Sequence, residues 1–278
     1  MKIRAPQFAD NQWYPSGKDA LQEAVQGYLA GGAERSAPGR VLGLVAPHAG
    51  YFFSGPVAGV SFAAARDAAV ETVVLLGPDH RGAALGQVST SQAEAWATPL
   101  GQIQVSQSLL EAIEERLPIT RLAFDQEHSL EVELPFLQQA LGEFTLVPLM
   151  MGDQSLRACR ELAEALSAVL PGLPGLLLVA SSDLSHYFDD DTARRLDRET
   201  LAYVRAMDAE GLIRHIEQGR RQGQPLACGG GPIAVVMRVA LALGANRATL
   251  LKYATSGDVW GDKRRVVGYS AVAFSSAG

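Results

Sequence analysis

The sequence predicts an α/β fold: a single domain built on a central sheet, largely parallel or mixed, flanked by helices. Three observations carry that prediction. Short apolar runs at Val41–Val45, Val73–Leu76 and Leu176–Val179 are closed by Pro, Gly or Ser, as strands buried on both faces are. Longer stretches with helical apolar spacing alternate with them, the pattern of a parallel sheet with crossover helices. Finally, 278 residues with 47% hydrophobic and 19% charged residues suffice for one large core, and no linker-like segment divides them. The domain is therefore read as residues 1–278.

Taken in order, the chain up to Pro15 is expected to run extended along the body, anchored by Trp13 and Tyr14. Ser16 is read as the cap of a helix, with Asp19 three residues on in capping-box fashion. That helix runs to about Ala30 and stops at Gly31-Gly32. A loop at Gly32–Gly39 leads to the first apolar strand. Pro56 suits a first helical position, so a small-residue helix is expected over Val57–Ala69. The second strand is followed by a loop at Gly82–Gly86, a short strand at Gln87–Thr90, a hairpin turn at Trp96–Gly101 and a helix at Ser106–Arg116. Leu130, Leu134, Leu137 and Leu141 mark a helical stripe that Pro135 limits or bends. A strand at Phe144–Met151 and an amphipathic helix at Gln154–Leu170 precede the third apolar strand. Beyond it come a helix at Asp189–Met207, acidic at its start as the helix dipole favours, and a short helix around Leu212–Ile216. A polar loop at Gln222–Ala227, an apolar helix at Ile233–Leu243 and strands at Ala248–Ala254 and Val266–Phe274 complete the chain.

Each of the three apolar strands delivers a histidine within a few residues of its end: His48, His80 and His186. Ligands of open α/β sheets bind beyond the carboxyl ends of the strands, so the three imidazoles are expected to converge on one rim. Three imidazoles suit a divalent transition metal: zinc, copper or iron. Cys228 lies just before a helix whose free amides lower a thiol's pKa, so it is read either as a metal ligand or nucleophile or as a small buried residue beside a glycine turn. Gly229, Gly230 and Gly231 let something approach the backbone closely there. Asp183 offers a carboxylate ligand, an orienting partner for an imidazole, or a helix cap. His128 sits among Asp125, Glu127, Glu131 and Glu133, surroundings that favour a charged imidazole and general acid–base chemistry unless this is a solvated helix start. Asp79 is read as a turn residue or hydrogen-bond acceptor, Cys159 as inert core and His215 as surface.

Several function classes are disfavoured. A net charge of −6 argues against nucleic acid as a partner. No uninterrupted apolar stretch reaches the roughly 18 residues of a membrane span. Met1–Pro6 lacks the apolar core of a secretory signal, and two cysteines cannot build a disulfide framework, so a reducing cytoplasm is the expected location. Neither GxxxxGK[ST] nor Gly-x-Ser-x-Gly occurs, which disfavours a phosphate loop and a serine hydrolase.

Assembled in order, the motifs resemble the Memo family. The matching pieces are Tyr14-Pro15, Pro47-His48-Ala49-Gly50-Tyr51 with Ser54-Gly55, and Leu76-Gly77-Pro78-Asp79-His80. They continue through Glu127-His128-Ser129-Leu130-Glu131, Leu134-Pro135, Ser181–His186, Cys228-Gly229 with Pro232-Ile233, Tyr253-Ala254 and Gly268–Ala271. In prokaryotes the family is also called AmmeMemoRadiSam system protein B, for its association with an AMMECR-type and a radical-SAM protein, which the resemblance implies as partners. It further implies the fold of class III extradiol ring-cleaving dioxygenases. The implied pocket is His48, His80, His186 and Cys228, with Asp183 alongside. Iron or copper is the implied metal, with His48, His80 and Cys228 as ligands; His186, His128 and Asp183 are read from the residues as the catalytic groups. Ring-cleaving enzymes hold iron with two histidines and a carboxylate; here a thiol stands in the carboxylate's place. The expected function is dioxygenase-like redox chemistry on a small molecule. A zinc-dependent hydrolase, and a non-catalytic adaptor that holds a small molecule or peptide in the same pocket, are the alternatives.

Overall fold

The three apolar runs become three neighbouring strands at the centre of one sheet. The structure, a computed structural model, describes residues 1–32, 34–35, 37–66, 68–83 and 86–276. Ala33 and Ser36 of the Gly32–Gly39 loop, Asp67 of the expected Val57–Ala69 helix, Ala84 and Leu85 of the Gly82–Gly86 loop, and Ala277 and Gly278 at the end of the 1–278 domain lie outside the described residues. In chain order the elements are β1 (Ile3–Arg4), α1 (Lys18–Ala30), β2 (Arg40–Ala46), α2 (Tyr51–Ala63), β3 (Thr72–Pro78), β4 (Val88–Ser91), β5 (Ala95–Thr98) and β6 (Gly101–Val105). Next come α3 (Gln107–Glu114), β7 (Thr120–Leu122), a single 3-10 turn at Glu131–Glu133, α4 (Leu134–Leu141), β8 (Thr145–Met151), α5 (Leu156–Val169) and β9 (Leu176–Ser181). The last are β10 (His186–Phe188), α6 (Asp190–Arg205), α7 (Ala209–Arg221), α8 (Gly230–Ala242), β11 (Arg247–Thr255), α9 (Ser256–Trp260) and β12 (Val266–Ser276).

The main path of the sheet runs β1-β5-β6-β8-β3-β9-β2-β12-β10. Its middle, β6-β8-β3-β9-β2, is all parallel, and β5, β12 and β11 are antiparallel additions. Helices cover the sheet: α8 packs against β9, β2 and β3, while α2 packs against β2, β12 and β11. Strands covered on both faces carry near-continuous Val and Leu, which is why these runs were readable. Register aligns the strand ends. Ala46 lies beside Ser181, and Leu76 beside Ala180, so β2, β9 and β3 end level with one another.

Local readings fail where tertiary contacts override them. Ser16 does not cap α1: its amide and hydroxyl donate to Asn11 Oδ1, and Gly17 occupies the cap position without a side-chain bond. The second helix begins at Tyr51, directly after Gly50, so Pro56 sits inside α2 rather than at its start. Proline there removes one helical amide, while its own carbonyl accepts from Lys252 Nζ at 2.9 Å. The early start lets α2 press on α1, where a Cβ at Gly59 would come within 2.4 Å of the Tyr28 backbone. Pro135, likewise, neither bends nor ends a helix but opens α4 at its first turn.

The N-terminal segment is fixed by charge. Arg4 is buried; its guanidinium donates to Asp125 at 2.8 Å, pairs closely with Glu131, and lies 4.1 Å over the Trp96 ring. Glu131 Oε1 also accepts from the amides of Gln7 and Phe8 and from the Tyr14 hydroxyl, each at 2.8 Å. The segment before α1 is thereby strapped across the 125–133 loop. Replacing Arg4 with Met is expected to leave two buried carboxylates without a cation and to destabilise the protein by about 3–5 kcal/mol. Urea unfolding followed by circular dichroism measures it; a loss under about 1 kcal/mol would show that the ion pairs are not what secures this segment.

Candidate metal centre

Six side chains singled out from the sequence line one cavity of about 790 Å³ at the level ends of the central strands: His48, His80, His128, Asp183, His186 and Cys228. His48 and His80 each follow a strand by two residues, Asp183 follows β9 by two, and His186 opens β10. Cys228 comes from the start of α8 and His128 from the loop before the 3-10 turn. Trp13, Ile216, Leu226 and Val267 contribute apolar walls. Cys159 and His215 are not among the lining residues.

Three of the imidazoles are close enough together that they could hold a metal ion. His48, His80 and His128 each place a ring nitrogen within 4.8 Å of the others. Donors on a tetrahedral metal lie about 3–4 Å apart, so the rings need to close by only ~1 Å. Cys228 Sγ lies 3.2 Å from His48 Nε2. His186, Asp183 and Cys228 line the cavity but lie outside this group, and His128 takes the third place that the sequence reading gave to Cys228.

Each ring is held from behind. His48 Nδ1 is 2.8 Å from Ser181 Oγ, which leaves Nε2 for the cavity. Glu127 holds His80: Oε2 accepts from its amide at 2.6 Å, and Oε1 lies 3.0 Å from its Nδ1. Oε1 also accepts from the amides of His128 and Ser129. A carboxylate or hydroxyl behind an imidazole is the usual support of a metal ligand. His128 packs against Trp13 at 4.2 Å between ring centroids; its Nδ1 lies 3.2 Å from Glu127 Oε1 yet makes no hydrogen bond. Gly77 at the end of β3 admits this loop, since a Cβ there would lie 2.7 Å from Ser129 Oγ.

Burial sets the protonation states. It lowers His48 well below the usual imidazole value, with the neighbouring His128, His80 and His186 adding to the effect. It likewise brings His128 down to about 4, outweighing Glu127, so the charged imidazole expected from the sequence is overturned. These rings are neutral at neutral pH, the form that offers a lone pair. Burial alone would raise Glu127, but its hydrogen bond with His80 and the His80 and His128 charges hold it at about 2. Asp183 rises to about 7 through burial, although the His48 and Ala49 amides bind its carboxylate. His48 N donates to Asp183 Oδ1 at 2.9 Å, so Asp183 fixes the backbone that carries His48.

The expected low pKa of Cys228 is also overturned. Its thiol is pushed up by burial and then by the charge of Asp183, and the Gly229 amide does not compensate. The glycines beside it serve the chain's own packing. A Cβ at Gly229 would lie 2.3 Å from Ser181 O, one at Gly230 2.2 Å from Ile216, and one at Gly231 2.8 Å from Gln154.

A family profile described as Memo-like protein matches residues 4–273. The chain belongs to the Memo family. It is 38% identical over 285 residues to a MEMO1 family protein of Methanopyrus kandleri, covering 98% of both chains. It is 35% identical to one from Pyrobaculum aerophilum, with 99% of each covered, and 34% identical to one from Nitrosopumilus maritimus, with 98% and 99% covered. A solved Escherichia coli K12 protein, described as uncharacterized, aligns at 14% identity over 74% of this chain and 86% of its own, with a TM-score of 0.46, too distant a likeness to bear on function. In this Memo chain no helix among the described residues is long and apolar enough to cross a membrane.

Sequence reasoning passed over the supporting groups. Ser181 entered only as part of the Ser181–His186 motif, and Glu127 only as a charge near His128 and part of the motif around it. Its position beside a histidine, in a chain otherwise so apolar, was the available signal.

The depressed His128 gives a pH test on metal-free protein. Its ordinary value is 6.5 and its folded value about 4, so the folded state binds fewer protons between them. Stability is therefore full above about pH 6.5 and is lost as pH falls towards 4, by at most on the order of 3 kcal/mol. Urea unfolding at a series of pH values should show this slope, and His128→Gln should make it shallower, leaving the share that the depressed His48 contributes. An unchanged slope would mean that His128 is not held neutral.

Proposed function

We propose that this Memo protein is a metal-dependent redox enzyme for a small molecule, with iron or copper held by His48, His80 and Cys228. The observation that carries the reading is the 3.2 Å approach of the Cys228 thiol to the cavity-facing nitrogen of His48, beside a second imidazole already oriented by a carboxylate. Imidazole with a soft sulfur donor suits copper, iron and zinc better than oxygen-seeking ions. The residues fit such an ion: two rings have Nδ1 engaged and Nε2 left over, and the buried His128 Nδ1 lacks a hydrogen bond. When bound, the metal supplies electron transfer and polarisation of the substrate.

The chain's own groups do the rest. Asp183, near 7, exchanges a proton at neutral pH, as an acid–base group should. His186, lowered by burial, accepts one at its ring. His128 serves as a further donor to the metal or as a base. Trp13, Ile216, Leu226 and Val267 exclude water from the substrate.

Three measurements test this. Protein purified without oxygen or chelators should carry about one iron or copper per chain, and His48→Ala and Cys228→Ala should lose it. Glu127→Gln should lower metal affinity about 10–100-fold, as loss of an orienting carboxylate does. The loaded protein should consume oxygen with catechol-like or related small molecules. Stoichiometric zinc with hydrolytic turnover would overturn the redox reading, as would a bound protein partner retained by both alanine variants alongside no turnover at all.

A further inference from the structure

Behind His48 lies a hydroxyl whose neighbours over-determine its proton. Ser181 Oγ is 2.8 Å from His48 Nδ1, 2.6 Å from the Ser129 carbonyl and 2.7 Å from Glu133 Oε1. A serine hydroxyl has one proton to give and two lone pairs. The Ser129 carbonyl can only accept, so the Ser181 proton must point to it. Both remaining neighbours must then donate. Nδ1 of His48 carries a hydrogen, and so does Glu133. Any other assignment sets at least one pair of lone pairs against each other, at 2.6 Å on Ser129, 2.7 Å on Glu133 or 2.8 Å on His48.

Glu133 independently suits the neutral form. It is fully buried, its Oε2 has no hydrogen-bond partner, and no ion pair with it is found among the described residues. An ionised carboxylate so placed is penalised far more than a neutral acid; burial accordingly raises Glu133 well above the usual carboxylate range, with the Asp183 charge adding to the rise.

We propose that a neutral Glu133, acting through Ser181, holds His48 in the Nδ1–H tautomer, with Nε2 bare towards the cavity and Cys228. Glu133 and Ser181 are positioning residues: neither lines the cavity. The arrangement is complete before any metal arrives. Glu133 donates to Ser181, Ser181 to Ser129, His48 Nδ1 to Ser181, and the Cys228 thiol to Nε2. Were Glu133 ionised, it would draw the Ser181 proton to itself and leave the Ser129 carbonyl facing a lone pair.

The consequence for metal affinity rests on the proposed role of His48 as a ligand; the tautomer does not. Long-range ¹⁵N–¹H NMR of metal-free protein with labelled histidine reads the tautomer directly, and the ¹³C carboxyl shift of Glu133 reads its protonation. At about pH 7.5, a full unit above the ordinary imidazole value, the wild type should show Nδ1 protonated, Nε2 bare and Glu133 neutral. Glu133→Gln, a neutral donor, should keep that tautomer and bind metal within about threefold of wild type. Ser181→Ala should release His48 into the Nε2–H form or a mixture and weaken metal binding about 10–100-fold. Nε2–H in the wild type, or an ionised Glu133, overturns the proposal; both readouts are taken without any substitution, so a variant that fails to fold leaves the test intact. If Ser181→Ala changes the tautomer but metal affinity stays put, the tautomer lock stands and the assignment of His48 as a ligand falls.

Discussion

Four carboxylates buried within nine residues, Asp125, Glu127, Glu131 and Glu133, are the constraint around which this molecule is arranged. Each unpaired one would cost several kcal/mol, and the four are answered in three ways. Arg4 and backbone amides answer Asp125 and Glu131. The imidazole of His80 and three amides answer Glu127. A retained proton answers Glu133 in the proposed tautomer lock. The first answer ties down the N-terminus, the second orients a candidate ligand, and the third sits behind another. One acidic loop thus couples the chain's start to the cavity.

The sheet supplies the complementary constraint. β3, β9 and β2 end in register, so the residues just past them cannot avoid one another. Level strand ends bring His48, His80 and Asp183 together, and burial keeps His48 and His128 neutral. The same burial raises the Cys228 thiol, so sulfur becomes a strong ligand only when a cation displaces its proton.

Much of this was legible in the sequence because its signals are local. Val73–Leu76 beside Gly77-Pro78-Asp79-His80 states strand, stop and histidine within eight residues, and five parallel strands need no more to set the rim. Cys228 was legible from its place before an apolar helix. What escaped depended on distant partners. Glu127 and Glu133 read as a solvated stretch because nothing nearby reveals Arg4, 121 residues before Asp125, or the hydroxyl of Ser181. Pro56 misled for the same reason: it signals a helix start, whereas the packing of Gly59 on Tyr28 places that start at Tyr51.

The spacing along the chain of the residues that meet in the cavity bears on how the protein is made. Cys228 follows His48 by 180 residues, and the Arg4 strap closes on a loop more than a hundred residues away. Contacts of such sequence separation form late, after the entropy of closing long loops has been met. A nascent chain leaving the ribosome displays its first histidines long before the thiol exists. The cavity therefore cannot template folding from a captured ion; it is a product of the finished sheet, and any ligand it holds stabilises the whole native state rather than a part of it.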